Sequence, residues 1–109
     1  MTDDRESDLQ TACIGAARSI GCEAFANVVV RKGKRATGLG KGSPDVLCVI
    51  PGVRAEYIWF ELKTPTGRRS PAQIEWHAKA ARLGMRVYTI QSVTEMVACI
   101  TAVRFGRAA

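Results

Sequence analysis

Val46-Leu-Cys-Val-Ile50 is an unbroken apolar run, and it limits the fold more than any other stretch of the chain. Its length suits one strand and is too short for a buried helix. Successive side chains of an extended chain point to opposite faces. A run with no polar position therefore predicts a central strand covered on both faces. Such a strand needs helices above and below its sheet, which implies an α/β sandwich.

The neighbouring segments supply those layers. Pro51-Gly52 is a turn signal. Beyond it, Tyr57 to Lys63 reads as a second strand with two unlike faces. Ile58, Phe60 and Leu62 form one face; Tyr57, Trp59, Glu61 and Lys63 form the other. Ala24 to Arg31 and Met85 to Ile90 read as further strands by their β-branched content. A helix is expected from about Asp4 to Ile20, because Leu9, Cys13, Ala16, Ala17 and Ile20 recur at helical spacing and Gly21 is a natural stop. Ser70-Pro-Ala-Gln73 is a capping box with proline at the first helical position, opening a helix that ends at Gly84. Ser92-Val-Thr-Glu95 is a second box, opening a helix with Val93, Met96, Val97, Ile100 and Val103 on one face. The residues from Arg104 onward are expected to fray. The order is αβββαβα around a mixed central sheet, since hairpins and one βαβ crossover coexist in such sheets. The 109 residues fit one domain, with a core over about residues 5–103.

Charge and cysteine usage exclude several classes. A net charge of +6 favours polyanionic partners. No apolar run approaches the ~20 residues of a spanning helix, so no membrane partner is expected. The segment Met1-Thr-Asp-Asp-Arg-Glu6 lacks the apolar core of a signal peptide, and a cytoplasmic protein is expected. Cys13, Cys22, Cys48 and Cys99 show no C-x-x-C spacing, and the single histidine, His77, is distant from all of them in sequence. Zinc needs ligands clustered at short spacings. The cysteines read as small hydrophobes, and His77 as an ordinary helix-face residue. Gly38-Leu-Gly-Lys-Gly42 leads into a strand rather than a helix, which argues against a nucleotide cofactor.

The chemistry is concentrated around the two central strands. Glu61 and Lys63 project from the same side of their strand, about 6.6 Å apart along it. Unpaired charges are costly in a strand that otherwise looks like core, so they must face a partner, a metal or a cleft. Asp45 opens the preceding strand. Pairing Ile50 with Tyr57 sets Asp45 opposite Leu62, and a one-residue slip or bulge sets it opposite Glu61. Two carboxylates brought together repel and raise a pKa, a conflict that a divalent cation resolves. Magnesium commonly takes one or two carboxylates with waters and a phosphate, and a nearby lysine steadies developing negative charge. Glu6, one turn before Leu9, ends the buried stripe of the first helix; Glu23 is a weaker alternative for the same role. Arg31, Lys32, Lys34, Arg35 and Lys41 form a basic run with no acid before Asp45, and Arg68 and Arg69 precede the Gln73 helix. Both groups read as contacts to the phosphate backbone of a polyanionic partner. Trp59 and Trp76 read as packing residues.

Three segments in order, Gly42-Ser-Pro-Asp45, Phe60-Glu-Leu-Lys63 and Gly67-x5-Gln73-x2-Trp76, resemble the VRR-NUC domain, a branch of the PD-(D/E)xK nuclease superfamily. Glu6 with Gln10 is similar to that family's opening motif, and the match runs from about Glu6 to Glu95. The resemblance implies a restriction-endonuclease-like αβββαβ core and hydrolysis of DNA dependent on Mg2+ or Mn2+. It implies metal ligands at Asp45 and Glu61 with the Leu62 carbonyl as a third, and a catalytic lysine at Lys63. It sets Gln73 against the site, and makes Glu6 an acid that helps hold the metal or its waters. Stand-alone members of viral type are similar to homodimeric resolvases of four-way (Holliday) junctions, whereas members fused to other domains act on flaps. The expectation is a homodimeric, structure-specific endonuclease for branched DNA. The alternatives are a nuclease for flaps or linear duplex, and a DNA-binding module without catalysis. The intact acid–acid–lysine set argues against the last.

Overall fold

Leu9, Cys13, Ala16, Ala17 and Ile20 line up along the first helix, α1 (Asp4–Ser19), because residues three and four apart share a helix face. In this computed structural model, which describes residues 4–27, 39–64 and 67–105, Cys13 and Ala17 are fully buried and the other three pack beside them. The helix stops at Gly21, whose φ of 91° lies in the left-handed region. The elements that follow are β1 (Glu23–Ala26), β2 (Val46–Ile50), β3 (Glu56–Leu62), α2 (Pro71–Leu83), β4 (Val87–Ile90) and α3 (Val93–Phe105). This is the expected αβββαβα order.

The strands form one sheet in the order β1-β2-β3-β4. β1 pairs with β2 and β2 with β3 in antiparallel fashion, while β3 and β4 are parallel and joined through α2. The α/β class is therefore a four-stranded mixed sheet flanked by helices. Toward α1 and α3 the sheet presents Val46, Cys48, Ile50, Ile58, Phe60, Leu62 and Ile90, all buried against Cys13, Ala17, Met96 and Ile100. Full burial of each large side chain contributes about 1.5–3 kcal/mol.

The opposite face departs from the expectation of even cover. Leu47 and Val49 are only half-buried, and Ala80 is the one α2 residue that is fully buried. The reason is dimensional: a helix about 10 Å across shields roughly two strands spaced about 4.8 Å apart.

Some boundaries also shift. β1 begins at Glu23, one residue before the predicted Ala24–Arg31 strand, and ends at Ala26; the part of that prediction from Val28 onward lies outside the described residues. β4 begins at Val87 rather than Met85, because the Met85 amide is taken by Ala80 O at the C-terminus of α2. The capping box at Ser70 is complete. The one at Ser92 is half formed: Ser92 Oγ accepts from the Glu95 amide, but the Glu95 carboxylate reaches past it to the Gln91 amide. α3 does not fray at Arg104. It runs through Phe105, and Arg104 Nη1 donates to Ile20 O at 3.0 Å, tying the last helix to the end of the first.

Candidate active site

Ile50 pairs with Glu56 and Val46 with Phe60, so the hairpin is offset by one residue from an Ile50–Tyr57 pairing. The offset carries Asp45 to the Glu61 end of β3, as the slipped register required. The Asp45 amide donates to Phe60 O at 3.0 Å, and Asp45 Oδ2 accepts from the Leu62 amide at 2.8 Å. The Asp45 carbonyl accepts from Gln10 Nε2 at 3.0 Å and from the Asn27 amide at 2.8 Å. α1 thus reaches the site through Gln10. Glu6 lies one turn earlier in the same helix, and its side chain is outside the described residues.

The turn leading into Asp45 is held from several sides. Asn27 Nδ2 donates to Ser43 Oγ and to Pro44 O, both at 2.8 Å, and Ser43 Oγ donates to Gly40 O at 2.7 Å. Gly42 has a φ of 87°, and a Cβ there would lie 2.4 Å from Ala72 O. Only glycine lets this turn press against the start of α2. Trp76 Nε1 donates to Leu39 O at 2.9 Å, and its ring meets Trp59 edge-on at 6.5 Å. Both tryptophans have the packing role expected of them.

Glu61 is 1% exposed, on the face of β3 that looks toward α2. Gln73 Nε2 donates to Glu61 Oε2 at 2.6 Å. Gln73 Oε1 accepts from Lys63 Nζ at 2.9 Å and from the Ser70 amide at 2.8 Å. One amide therefore closes the helix cap and bridges the acid to the lysine. Lys63 Nζ also donates to Arg68 O at 2.9 Å. Asp45, Glu61, Lys63 and Gln73 are thereby gathered at one end of the sheet.

His77 belongs to this group, contrary to its reading as an ordinary helix-face residue. Its side chain is 11% exposed, and Nε2 lies 3.5 Å from Glu61 Oε1. Burial holds its pKa below the usual histidine value; the nearby Arg69 and Lys63 charges act the same way, and Asp45 opposes them. The available signal was spacing, since His77 falls one helical turn after Gln73.

The remaining predicted residues divide. Glu23 is not in the site: it pairs with Arg18 at 2.6 Å, at the end of the β1–β2 hairpin opposite Asp45. The Ala24 amide, which donates to Glu23 Oε1 at 2.9 Å, and after it the Arg18 guanidinium hold its carboxyl below the usual range. Lys41, Arg68 and Arg69 are exposed beside the site, with Arg69 Nη2 donating to Thr89 Oγ1 at 3.1 Å. Arg31, Lys32, Lys34 and Arg35 lie outside the described residues. Leu62, the proposed carbonyl ligand, ends β3 with its amide held by Asp45.

The donor set is oxygen-rich: two carboxylates and a strand-end carbonyl. Among the described residues no three His, Cys, Asp or Glu side chains gather into a metal cluster. Hard oxygen donors suit Mg2+ and Mn2+, which need few protein ligands and fill their shells with water and phosphate. The cysteines contribute nothing here. Burial pushes the Cys13 thiol up to about 11 and the Cys48 thiol up to about 12.

The VRR-NUC domain family matches residues 4–94, a span that includes every residue gathered at this site. The chain belongs to the VRR-NUC family. A solved VRR-NUC domain structure is similar to it, with 20% identity and a TM-score of 0.66 over 88% of this chain and 94% of that one. At that identity the likeness speaks for the fold. No curated protein matches the sequence. As a VRR-NUC domain the chain is a nuclease, a hydrolase with DNA as substrate.

Proposed function

We propose that this VRR-NUC chain is a divalent-metal-dependent endonuclease for branched DNA, with four-way junctions as its leading substrate. The observation that carries the chemistry is the linked set of Glu61, Gln73 and Lys63, with Asp45 pinned beside it by the Leu62 amide.

Asp45 and Glu61 would hold Mg2+ or Mn2+, with the Leu62 carbonyl as a further ligand and Glu6 holding the ion or its waters. Such an ion supplies Lewis acidity, which activates water and offsets charge on the phosphate. The chain's own residues do the rest. Gln73 fixes the Glu61 carboxylate and the Lys63 ammonium relative to each other. Lys63 orients the attacking water and offsets the negative charge that builds on the phosphate. Lys41, Arg68 and Arg69 bind backbone phosphates next to the cut, and Arg31, Lys32, Lys34 and Arg35, which lie outside the described residues, add further phosphate contacts. Symmetric cutting of a four-way junction requires two sites, so the active form is a homodimer.

The test is cleavage of a labelled four-way junction, 5′ flap, linear duplex and single strand with Mg2+ or Mn2+. Junction cutting is expected, and Lys63→Ala should lower it roughly 10²–10³-fold. Cutting only flaps or linear duplex would overturn the junction assignment. Binding without cutting under either ion would overturn the catalytic one.

A further inference from the structure

We propose that His77 is a positioning residue for Glu61, acting with Gln73 to hold that carboxylate in the orientation that binds the metal. The inference rests on the reading of Asp45 and Glu61 as metal ligands.

Gln73 and His77 sit one turn apart on α2, so both meet the sheet from the same helix face. They divide the carboxylate between them: Gln73 Nε2 stands 2.6 Å from Oε2, and His77 Nε2 stands 3.5 Å from Oε1. The two side chains approach from α2 while the strand fixes Glu61 from below. A carboxylate bracketed in this way loses much of its torsional freedom before any ligand arrives.

His77 Nε2 is buried and has no hydrogen-bond partner among the described residues. A buried polar nitrogen left in that state is costly, and Glu61 Oε1 lies 3.5 Å from it. The separation is slightly long for a hydrogen bond. Contacts in ligand-free sites often stand long and shorten once the site is loaded. An N–H on Nε2 aimed at Oε1 would hold that oxygen as Gln73 Nε2 holds Oε2. Groups that orient metal ligands this way typically change metal affinity 10–100-fold when removed.

The experiment is calorimetric titration of the full chain with Mn2+ alone, comparing wild type with Asp45→Ala, His77→Ala and His77→Gln. His77→Ala should weaken Mn2+ binding about tenfold or more. His77→Gln, which places an N–H at a similar reach, should restore most of it, a rescue that a purely packing role would not produce. Mn2+ binding by His77→Ala within twofold of wild type would overturn the inference while leaving the metal site intact. If instead wild type binds no Mn2+, or Asp45→Ala binds it as well as wild type, the metal reading itself fails. Should the alanine variant be unfolded by circular dichroism, His77→Leu is judged by the same criterion.

Discussion

The two faces of the central sheet are built on different terms. Toward α1 and α3, alternate residues of β2 and β3 are fully buried and apolar. Toward α2, the intervening residues are Leu47, Val49 and Trp59, partly covered, and then the buried Glu61. Phe60 and Glu61 are chain neighbours with nearly equal burial, yet one sits among hydrocarbon and the other among hydrogen-bond donors. One face can therefore supply most of the stability, which lets the other retain a buried charge. Sites of this kind are commonly less stable than they could be.

The comparison can be broken most directly at those two neighbours. Phe60→Ala removes a fully buried ring and should cost about 3–5 kcal/mol of stability, read by urea unfolding. Glu61→Gln should leave the unfolding midpoint unchanged or raised, while lowering cleavage roughly 10²–10³-fold, of the order of 2.7–4 kcal/mol. A large stability loss in Glu61→Gln would show that the two faces are not separable.

Gly42→Ala tests the point where the site turn touches α2. The added Cβ meets Ala72 O, and the φ of 87° disfavours any side chain. A cost of about 1–3 kcal/mol is expected, with cleavage falling alongside because Asp45 follows three residues later. The smallest effect sharpens the apolar face. Cys13 and Cys48 have folded pKa values of about 11 and about 12, above the ordinary 9.0. The folded state then holds their protons more tightly than the unfolded state. Their contribution to stability is complete below about pH 9 and is lost as pH rises through the folded values. Cys48→Ala should flatten the decline of melting temperature between pH 9 and 11.

The sequence made the apolar face legible because periodicity alone specifies it. Helical spacing in α1 and α3 and alternation in β3 located Cys13, Met96, Ile100, Ile58, Phe60 and Leu62. Alternation also put Glu61 and Lys63 on one side, and the proline-supported cap fixed the start of α2. What periodicity does not contain is register. The turn between β2 and β3 sets whether Asp45 meets Leu62 or Glu61, and its geometry is not a property of either strand's pattern. Asn27 was hidden within a run read as strand, since its partners Ser43 and Pro44 are 16 and 17 residues away. His77 was hidden for the converse reason: a lone histidine has no pattern, and its meaning comes from a carboxylate on another element. The second face of β2 was overestimated, because a continuous apolar run does not say how wide its covering layer is.

Asn27 grips the turn at Ser43 and Pro44, and Trp76 grips the main chain at Leu39. Both fastenings bear on the short stretch from Leu39 to Pro44 that delivers Asp45 to the sheet, one from the end of β1 and one from α2. The approach to Asp45 is in that sense doubly anchored: a substitution that frees either fastening leaves the other in place.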